Sequence, residues 1–199
     1  NGTFYGNPGN YLDARGVLNP NGVGNASETI IGTANADVIR SGGGNDTVWG
    51  EGGNDNIDGG TGVDYLHGGD GDDTIAGGTD GDFMYGEAGN DTMRGNAGLD
   101  QMFGGDGNDT MYGGIDADLM IGGTGNDTMY GGDGVTTGGI LDPEPAAGVA
   151  LVDDVMFGGQ GDDTMYGGGG WDRITGESGH DILIPGAGGN AQGGREALN

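Results

Sequence analysis

The sequence contains no cysteine and no lysine. Without cysteine there is no disulfide scaffold, no thiol nucleophile and no cysteine zinc site. Five arginines stand against 32 acidic residues, so the net charge is −27 and points to cations as partners. Nucleic acids and anionic membranes need a basic surface, so we expect neither as a partner. No apolar run approaches the ~20 residues that span a bilayer, so we expect no transmembrane segment.

Hydrophobic residues are also scarce, at 32 % of the chain, whereas glycine supplies 54 of the 199 residues. Low hydrophobicity with high net charge is typical of disordered chains, and glycine increases the entropy lost on ordering. Collagen is excluded because glycine does not recur at every third position. A disordered chain and a repeat protein remain, and the order of the residues decides between them.

Aspartate recurs in a single nine-residue register. Its fifteen copies are Asp37, Asp46, Asp55, Asp64, Asp73, Asp82, Asp91, Asp100, Asp109, Asp118, Asp127, Asp154, Asp163, Asp172 and Asp181. The residue two positions after each aspartate is apolar in every copy, as in Ile39, Met111 and Leu183. Low-complexity disorder does not keep such a register, so we expect the metal-loaded chain to fold.

The clearest unit, residues 104–112, reads Gly-Gly-Asp-Gly-Asn-Asp-Thr-Met-Tyr. It resembles the RTX (repeats-in-toxin) nonapeptide, a haemolysin-type calcium-binding repeat, and the resemblance covers residues ~30–184. The resemblance implies an all-β fold: a right-handed parallel β-roll, or solenoid, of stacked 18-residue coils with short strands and glycine-rich calcium-binding turns.

The unit itself agrees with such a roll. Glycines let a six-residue loop turn through positive φ, and side chains alternate along a three-residue strand, so the apolar residue points inward. Two units make one coil, and coils stacked about 4.8 Å apart place the inward residues in two columns. All eight methionines lie in these columns, where they suit an irregular, narrow core. A metal or haem site built from methionine is the weaker alternative.

The repeat also divides the chain. Residues 1–28 form a non-repeat N-terminal segment, 29–184 the roll and 185–199 a glycine-rich tail. Residues 30–37 resemble a degenerate first coil that caps the roll. An inserted loop at 134–152 interrupts the roll, and both a function for this loop and a simply tolerated insertion stay open. Because the sequence starts at Asn1 without a signal sequence, we expect a fragment of a longer protein.

Stacked aspartates repel one another, and a hard cation removes that repulsion. Ca²⁺ takes 6–8 oxygen ligands, including backbone carbonyls, whereas Mg²⁺ fits less well. The resemblance implies that all fifteen aspartates bind calcium, about ten Ca²⁺ in all, at sites between successive coils. The backbone carbonyl ligands that it implies include those of Gly69, Gly71, Gly86, Ala88, Gly105, Gly107, Gly122 and Thr124.

Alternate units lie on opposite sheets. The consensus sheet carries Asp37, Asp55, Asp73, Asp91, Asp109, Asp127, Asp163 and Asp181, and most of these follow Asn or Asp. The divergent sheet carries the other seven, where residues such as Val63, Leu99 and Trp171 replace the asparagine. We call the loops that lead into these sheets the consensus row and the divergent row. Asp80 and Asp116 occupy the fourth loop position of the divergent row, where glycine belongs.

The divergent sheet also has an apolar outward face. We predict that it consists of Trp49, Tyr65, Phe83, Tyr85, Phe103, Leu119, Ile121, Val155 and Phe157. Exposed apolar stripes of this size mark docking surfaces, so we predict a parent domain or protein partner there. Aromatic residues also suit strands in their own right, and this simpler explanation stays open.

An enzyme is disfavoured. The stretch 176–180 (Gly-Glu-Ser-Gly-His) lacks the last glycine of a nucleophile elbow, and His67 and His180 lie far apart in the predicted stack. We therefore expect any catalytic activity to reside in a parent domain outside this chain.

The leading hypothesis is a calcium-binding module of a secreted bacterial exoprotein, folding on Ca²⁺ outside the cell and serving as a stabilising and docking scaffold. The resemblance implies type I secretion from a Gram-negative cell and an extracellular or cell-surface location. The alternative is a structural or adhesive surface-layer or matrix protein that assembles through the apolar face. A third hypothesis, an ice-binding adhesin module, is weakened by the uneven neighbours of the outward threonines, such as Arg94 and Tyr112.

Overall fold

The computed structural model describes residues 3–5, 11–13, 27–132, 154–169 and 171–185. The predicted inserted loop at 134–152 lies outside the described residues, as does the predicted tail after Pro185. The described strands are β1 (Thr3–Tyr5), β2 (Tyr11–Asp13), β3 (Thr29–Thr33), β4 (Val38–Gly43), β5 (Thr47–Glu51), β6 (Asn56–Thr61), β7 (Tyr65–Asp70), β8 (Thr74–Thr79), β9 (Phe83–Ala88), β10 (Thr92–Ala97), β11 (Gln101–Asp106), β12 (Thr110–Ile115), β13 (Leu119–Thr124), β14 (Thr128–Gly132), β15 (Val155–Gln160), β16 (Thr164–Gly168), β17 (Arg173–Ser178) and β18 (Ile182–Ile184).

These strands form two parallel sheets. Within the described residues, the odd-numbered strands make the divergent sheet and the even-numbered strands the consensus sheet, nine strands in each. Residues 18 apart pair in register, as Met93 does with Met111. The predicted all-β fold is confirmed: the chain is a parallel β-roll of stacked 18-residue coils, consistent with right-handed winding.

The strands are longer than predicted. We expected three-residue strands between six-residue loops, but most strands have five or six residues. The two glycines after the apolar residue explain the difference, because Gly114 and Ile115 still pair with Asn96 and Ala97 on the neighbouring strand. A φ of 118° at Gly114 therefore bends the chain without ending the ladder of hydrogen bonds.

The core consists of the two inward columns. The buried apolar side chains, each at most 2 % exposed, are Ile30, Ile39, Val48, Ile57, Leu66, Ile75, Met84, Met93, Met102, Met111, Met120, Met129, Met156 and Met165. Ile174 and Leu183 continue the columns in the last coil and are partly buried. No helix in the described part of the chain is long and apolar enough to cross a membrane.

The stack continues directly across the interruption. Leu119 pairs with Val155 and Thr128 with Thr164, so partners here are 36 residues apart instead of 18. Deleting residues 135–152 would restore the 18-residue spacing. It would also leave Gly-Gly-Asp-Gly-Asp-Asp, the sequence found at 68–73.

The N-terminal segment also contributes to the roll. Strands β1 and β2 pair in parallel with β3 and β4, which adds one strand to each sheet. The nine-residue register did not predict these strands, because no aspartate precedes either of them.

Candidate calcium sites

The register aspartates line the inside of the roll along its two edges. Side chains alternate along an extended chain, so Asp109 points to the same side as Met111. All register aspartates from Asp37 to Asp163 are at most 2 % exposed. Asp172 and Asp181, in the last coil, are partly buried.

One carboxylate oxygen of each register aspartate after Asp37 accepts a hydrogen bond from the preceding coil, whereas Oδ2 of Asp37 accepts the N–H of Thr33. The backbone N–H of Asp91 donates to Oδ1 of Asp109 at 2.8 Å, and that of Asp109 donates to Oδ1 of Asp127 at 2.8 Å. The same bond repeats along both rows and joins Asp118 to Asp154 across the interruption. Each row is therefore a continuous column of carboxylates, one per coil.

The second carboxylate oxygen is buried without a hydrogen-bond partner. This holds for Oδ1 of Asp37 and for Oδ2 of Asp46, Asp55, Asp64, Asp73, Asp82, Asp91, Asp100, Asp109, Asp118, Asp127 and Asp163. A buried charged oxygen left unpaired is costly in free energy. A cation bound to these oxygens removes that cost, so the residues present fit the metal that the repeat implies.

Glycine leaves room beside most of these oxygens. A Cβ on Gly104 would collide both with Oδ2 of Asp109 and with the carbonyl oxygen of Gly122 in the next coil. A carboxylate oxygen and a carbonyl oxygen from adjacent coils therefore converge where glycine has no side chain. Such oxygens are the ligands that Ca²⁺ prefers.

Backbone carbonyls must supply much of any metal site here. In the described part of the chain, no three His, Cys, Asp or Glu side chains come together in a group that could hold a metal. The carbonyls of Ala88 and Thr124 accept hydrogen bonds from the N–H groups of Gly71 and Gly107 at 2.7 and 2.8 Å. A carbonyl has two lone pairs, so one remains for a cation. The implied carbonyl ligands stay a prediction.

Burial raises the pKa of the register aspartates from Asp55 to Asp127, and that of Asp163, above the ordinary range of a carboxyl group. Loss of hydration is the main cause, and the N–H bond to Oδ1 opposes it. The pKa reaches about 9 at Asp118 and about 8 at Asp82. Burial raises the pKa to about 7 at Asp64, Asp73 and Asp109 and to about 6 at Asp55, Asp91, Asp100 and Asp127. Without a bound cation, the ionised rows therefore disfavour the fold.

The consensus row has a second ladder on its outer rim. The N–H of Asn108 donates to Oδ1 of Asn90 at 2.9 Å, and that of Asn126 donates to Oδ1 of Asn108 at 2.7 Å. The ladder runs through Asn54, Asp72, Asn90, Asn108, Asn126, Asp162 and His180. The sequence pattern marked most of these positions but not the hydrogen bonds that link the coils.

The divergent row is less well supported. Among its described residues, Asn45 makes the corresponding bond, accepting the N–H of Val63 at 3.2 Å. Asp80 and Asp116 have positive φ values of 72° and 76°, a conformation that is unfavourable for residues other than glycine. The charge of Asp116 also helps to raise the pKa of Asp118.

The outward face of the divergent sheet carries all nine predicted docking residues, in two columns. In one column the rings of Trp49, His67, Tyr85 and Phe103 stack, with successive centroids 3.8, 4.7 and 5.0 Å apart. Strand pairing continues this column through Ile121 and Phe157. In the other column Tyr65 stacks on Phe83 at 4.6 Å, and Leu119 and Val155 follow after Gln101. Docking of a partner on this face stays a prediction.

Two participating residues escaped the sequence analysis. His67 stacks between Trp49 and Tyr85, with Nδ1 2.9 Å from Oε1 of Glu87. Its position, three residues after a register aspartate, was the signal for an outward side chain. Glu28 extends the carboxylate register and donates its N–H to Oδ1 of Asp46 at 2.7 Å. Its signal was the apolar Ile30 two residues later.

Comparison with known proteins agrees with this geometry. The family described as the RTX calcium-binding nonapeptide repeat matches residues 23–57, 49–84, 77–111, 85–120, 112–135 and 152–183. A search of curated proteins found no match. The matched segments cover most of the chain and both loop rows. The chain therefore belongs to the RTX calcium-binding nonapeptide repeat family.

Proposed function

We propose that this chain is a module of a secreted bacterial exoprotein that folds on calcium outside the cell and then serves as a stabilising and docking scaffold. The observation that supports this proposal is the double row of buried carboxylates, twelve of which have an oxygen without a hydrogen-bond partner among the described residues. Bound calcium supplies the positive charge that lets these rows be buried, so its binding free energy becomes folding free energy.

The same rows suit export as an unfolded chain. With a net charge of −27, the calcium-free chain repels itself and stays expanded where calcium is scarce. An expanded chain fits type I secretion from a Gram-negative cell, and abundant calcium outside then drives folding. Catalytic activity of the parent protein belongs, in this proposal, to a domain outside this chain.

The calcium concentration at which the chain compacts tests this function. We expect the hydrodynamic radius to decrease as free Ca²⁺ rises from about 10⁻⁵ to about 10⁻³ M, which is the affinity range of weaker calcium sensors and extracellular modules. The measurement uses calcium buffers at constant ionic strength. A chain that is already compact at about 10⁻⁷ M calcium would rule out folding that waits for the exterior.

A second candidate function is a structural or adhesive surface-layer or matrix protein. The long apolar face supports it, because six successive coils, from Trp49 to Phe157, present aromatic or aliphatic side chains in one column. Sedimentation in saturating calcium distinguishes the two functions. Self-association that rises with protein concentration would favour the structural protein, and a monomer at all concentrations would favour the module.

A further inference from the structure

The stacked rings on the apolar face share their strands with exposed carboxylates. The rings of Trp49, His67, Tyr85 and Phe103 belong to strands β5, β7, β9 and β11 of four successive coils. Each of these strands also carries one exposed carboxylate, at its C-terminal end or next to it. The four, which we call the rim carboxylates, are Glu51, Asp70, Glu87 and Asp106. One ring and one rim carboxylate therefore recur in each coil.

The rim carboxylates lie along one edge of the divergent sheet. Asp70 and Asp106 both pair with Ala88, one from each side, so they are two coils apart. Oε1 of Glu87 lies 2.9 Å from Nδ1 of His67, so a rim side chain reaches the column of rings. Carboxylates and aromatic rings thus form one continuous surface.

The described arginines lie elsewhere. Arg40 pairs with Asp58, and Arg94 lies over the ring of Tyr112, both on the opposite sheet. Arg173 belongs to the last coil. Among the described residues, no arginine forms an ion pair with a rim carboxylate. The stacked rings therefore adjoin negative charge that no described arginine neutralises.

The charge ends where the continuous stack of rings ends. Ile121 and Phe157 continue the column in the next two coils, where Thr124 and Gln160 take the place of Asp106. We call the part of the apolar face that joins the four stacked rings to the rim carboxylates its acidic half.

The spacing of the acidic half matches an α-helix that lies along the roll. Coils are stacked about 4.8 Å apart, so the three steps between four coils span about 14 Å. Three turns of an α-helix rise about 16 Å, which keeps one apolar and one basic side chain per turn close to one ring and one carboxylate per coil. Alternate side chains of an extended strand lie about 6.7 Å apart, and three such steps span about 20 Å. A helix therefore fits better than a strand.

We propose that the acidic half of the apolar face binds a basic amphipathic α-helix of a partner protein. Apolar side chains of the helix pack on the rings, and its lysine or arginine side chains reach the rim carboxylates while their aliphatic stems cover the edges of the rings. This proposal rests on the docking role proposed above and specifies the partner. A second copy of the chain fits poorly, because it has no lysine and carries a net charge of −27.

The second loop position allows charge to be removed without harm to the fold. Glu51 and Glu87 have φ values of 78° and 77°, a conformation that glycine adopts more readily. Glu51→Gly with Glu87→Gly removes two rim carboxylates and should leave the calcium-loaded roll at least as stable. Glu177→Gly is the matched control, because Glu177 occupies the same loop position with a φ of 71°, three coils beyond Phe103.

A labelled peptide of about 18 residues, with lysine and leucine each recurring at every third or fourth position, is the probe. Fluorescence anisotropy measures its binding in saturating calcium, while circular dichroism confirms the folded roll. We expect the double variant to bind the peptide about fivefold more weakly than the native chain and Glu177→Gly to bind it as the native chain does. A peptide with glutamate in place of lysine should not bind.

Equal affinity in the native chain and the double variant would overturn the proposal. An equal loss in Glu177→Gly would also overturn it, because attraction to the net charge would then explain the binding. A scrambled peptide of the same composition that binds equally well would exclude the helix, and self-association through this face would make a second copy the occupant. Failure of the native chain to fold in calcium would overturn the proposed function itself, whereas a folded roll that treats basic and acidic peptides alike would overturn only this proposal.

Discussion

The two loop rows of the roll share a backbone but differ in what holds successive coils together. In the consensus row, the side chain before each aspartate from Asp55 to Asp163 accepts a hydrogen bond from the next coil, and glycine takes the fourth position from Gly53 to Gly179. In the divergent row, most of that ladder is missing, and Asp80 and Asp116 adopt positive φ. Both rows nevertheless keep the buried carboxylates. The carboxylates thus specify the roll, while the hydrogen-bond ladder on the outer rim and the residue at the fourth loop position adjust its stability.

Substitution of the residue at the fourth loop position should have the largest effect on the free energy of unfolding. At Gly107 φ is 137°, and a Cβ would collide with the carbonyl oxygen of Gly89. Gly107→Ala should lower the free energy of unfolding by about 2 kcal/mol or more. Asp116→Gly, the matched change in the divergent row, should raise it by about 1 kcal/mol. Urea denaturation in saturating calcium measures both, and a neutral Gly107→Ala would show that the row tolerates side chains there.

Removal of one carboxylate from each row should shift the calcium dependence unequally. Each substitution removes the acceptor of one backbone N–H. Asp109→Ala leaves the N–H of Asp91 without its acceptor, and Asp100→Ala does the same to that of Asp82. The loops differ, because those around Asp109 are near consensus. We therefore expect Asp109→Ala to raise the calcium midpoint of folding about threefold more than Asp100→Ala. Equal midpoints would mean that the loop consensus does not set affinity.

The asparagine ladder should contribute a smaller, metal-independent amount. The Asn108 side chain bonds to both neighbouring coils, because Nδ2 donates to Oδ1 of Asn90 and Oδ1 accepts the N–H of Asn126. Asn108→Ala removes both bonds and should lower the free energy of unfolding, measured by urea denaturation, by about 1–2 kcal/mol. Leu99→Asn and Ala117→Asn together place asparagine at the corresponding positions of the divergent row. This double substitution should raise the free energy of unfolding, by less than Asn108→Ala lowers it. If the double variant is less stable than the native chain, the missing ladder is not what weakens the divergent row.

pH should act in opposite directions with and without calcium. The pKa values of Asp82 and Asp118 are raised to about 8 and about 9, so the calcium-free fold binds more protons than the unfolded chain. Its stability is fully present below the ordinary aspartate pKa and is lost as the pH rises through these values. Calcium needs ionised carboxylates, so its affinity falls as the pH falls. In chelator, circular dichroism should show more β-structure at pH 5 than at pH 8, and the reverse order would contradict the burial of these groups.

The apolar face should matter least for folding. Polar substitution of Phe83, Phe103 and Ile121 together should leave calcium-dependent folding largely intact, because Met84, Met102 and Met120 already fill the core beneath them. Self-association or docking should disappear. Substitution of Tyr112, Tyr130 and Tyr166, which stack on the opposite sheet, is the matched control and should leave association unchanged. A face that stays solvent-exposed in the full assembly would end the docking hypothesis.

The nine-residue register predicted the roll because one inward residue and one carboxylate per unit fix both sheets. It predicted strands that are too short, because the pairing of Gly114 with Asn96 depends on the neighbouring coil rather than on local sequence. It also could not show that Oδ1 of Asp109 accepts a hydrogen bond while Oδ2 is left bare. That difference between two oxygens arises from the 18-residue stack, and no single repeat contains it.

If the carboxylate oxygens without a hydrogen-bond partner are calcium ligands, the fold requires the metal. Far-UV circular dichroism at neutral pH shows whether it does, with the chain in chelator, then in excess Mg²⁺, then in excess Ca²⁺. We expect mostly coil in chelator and in magnesium, because the rows cannot be buried while ionised, and β-structure only after calcium is added. A β-spectrum that persists in chelator would contradict the claim.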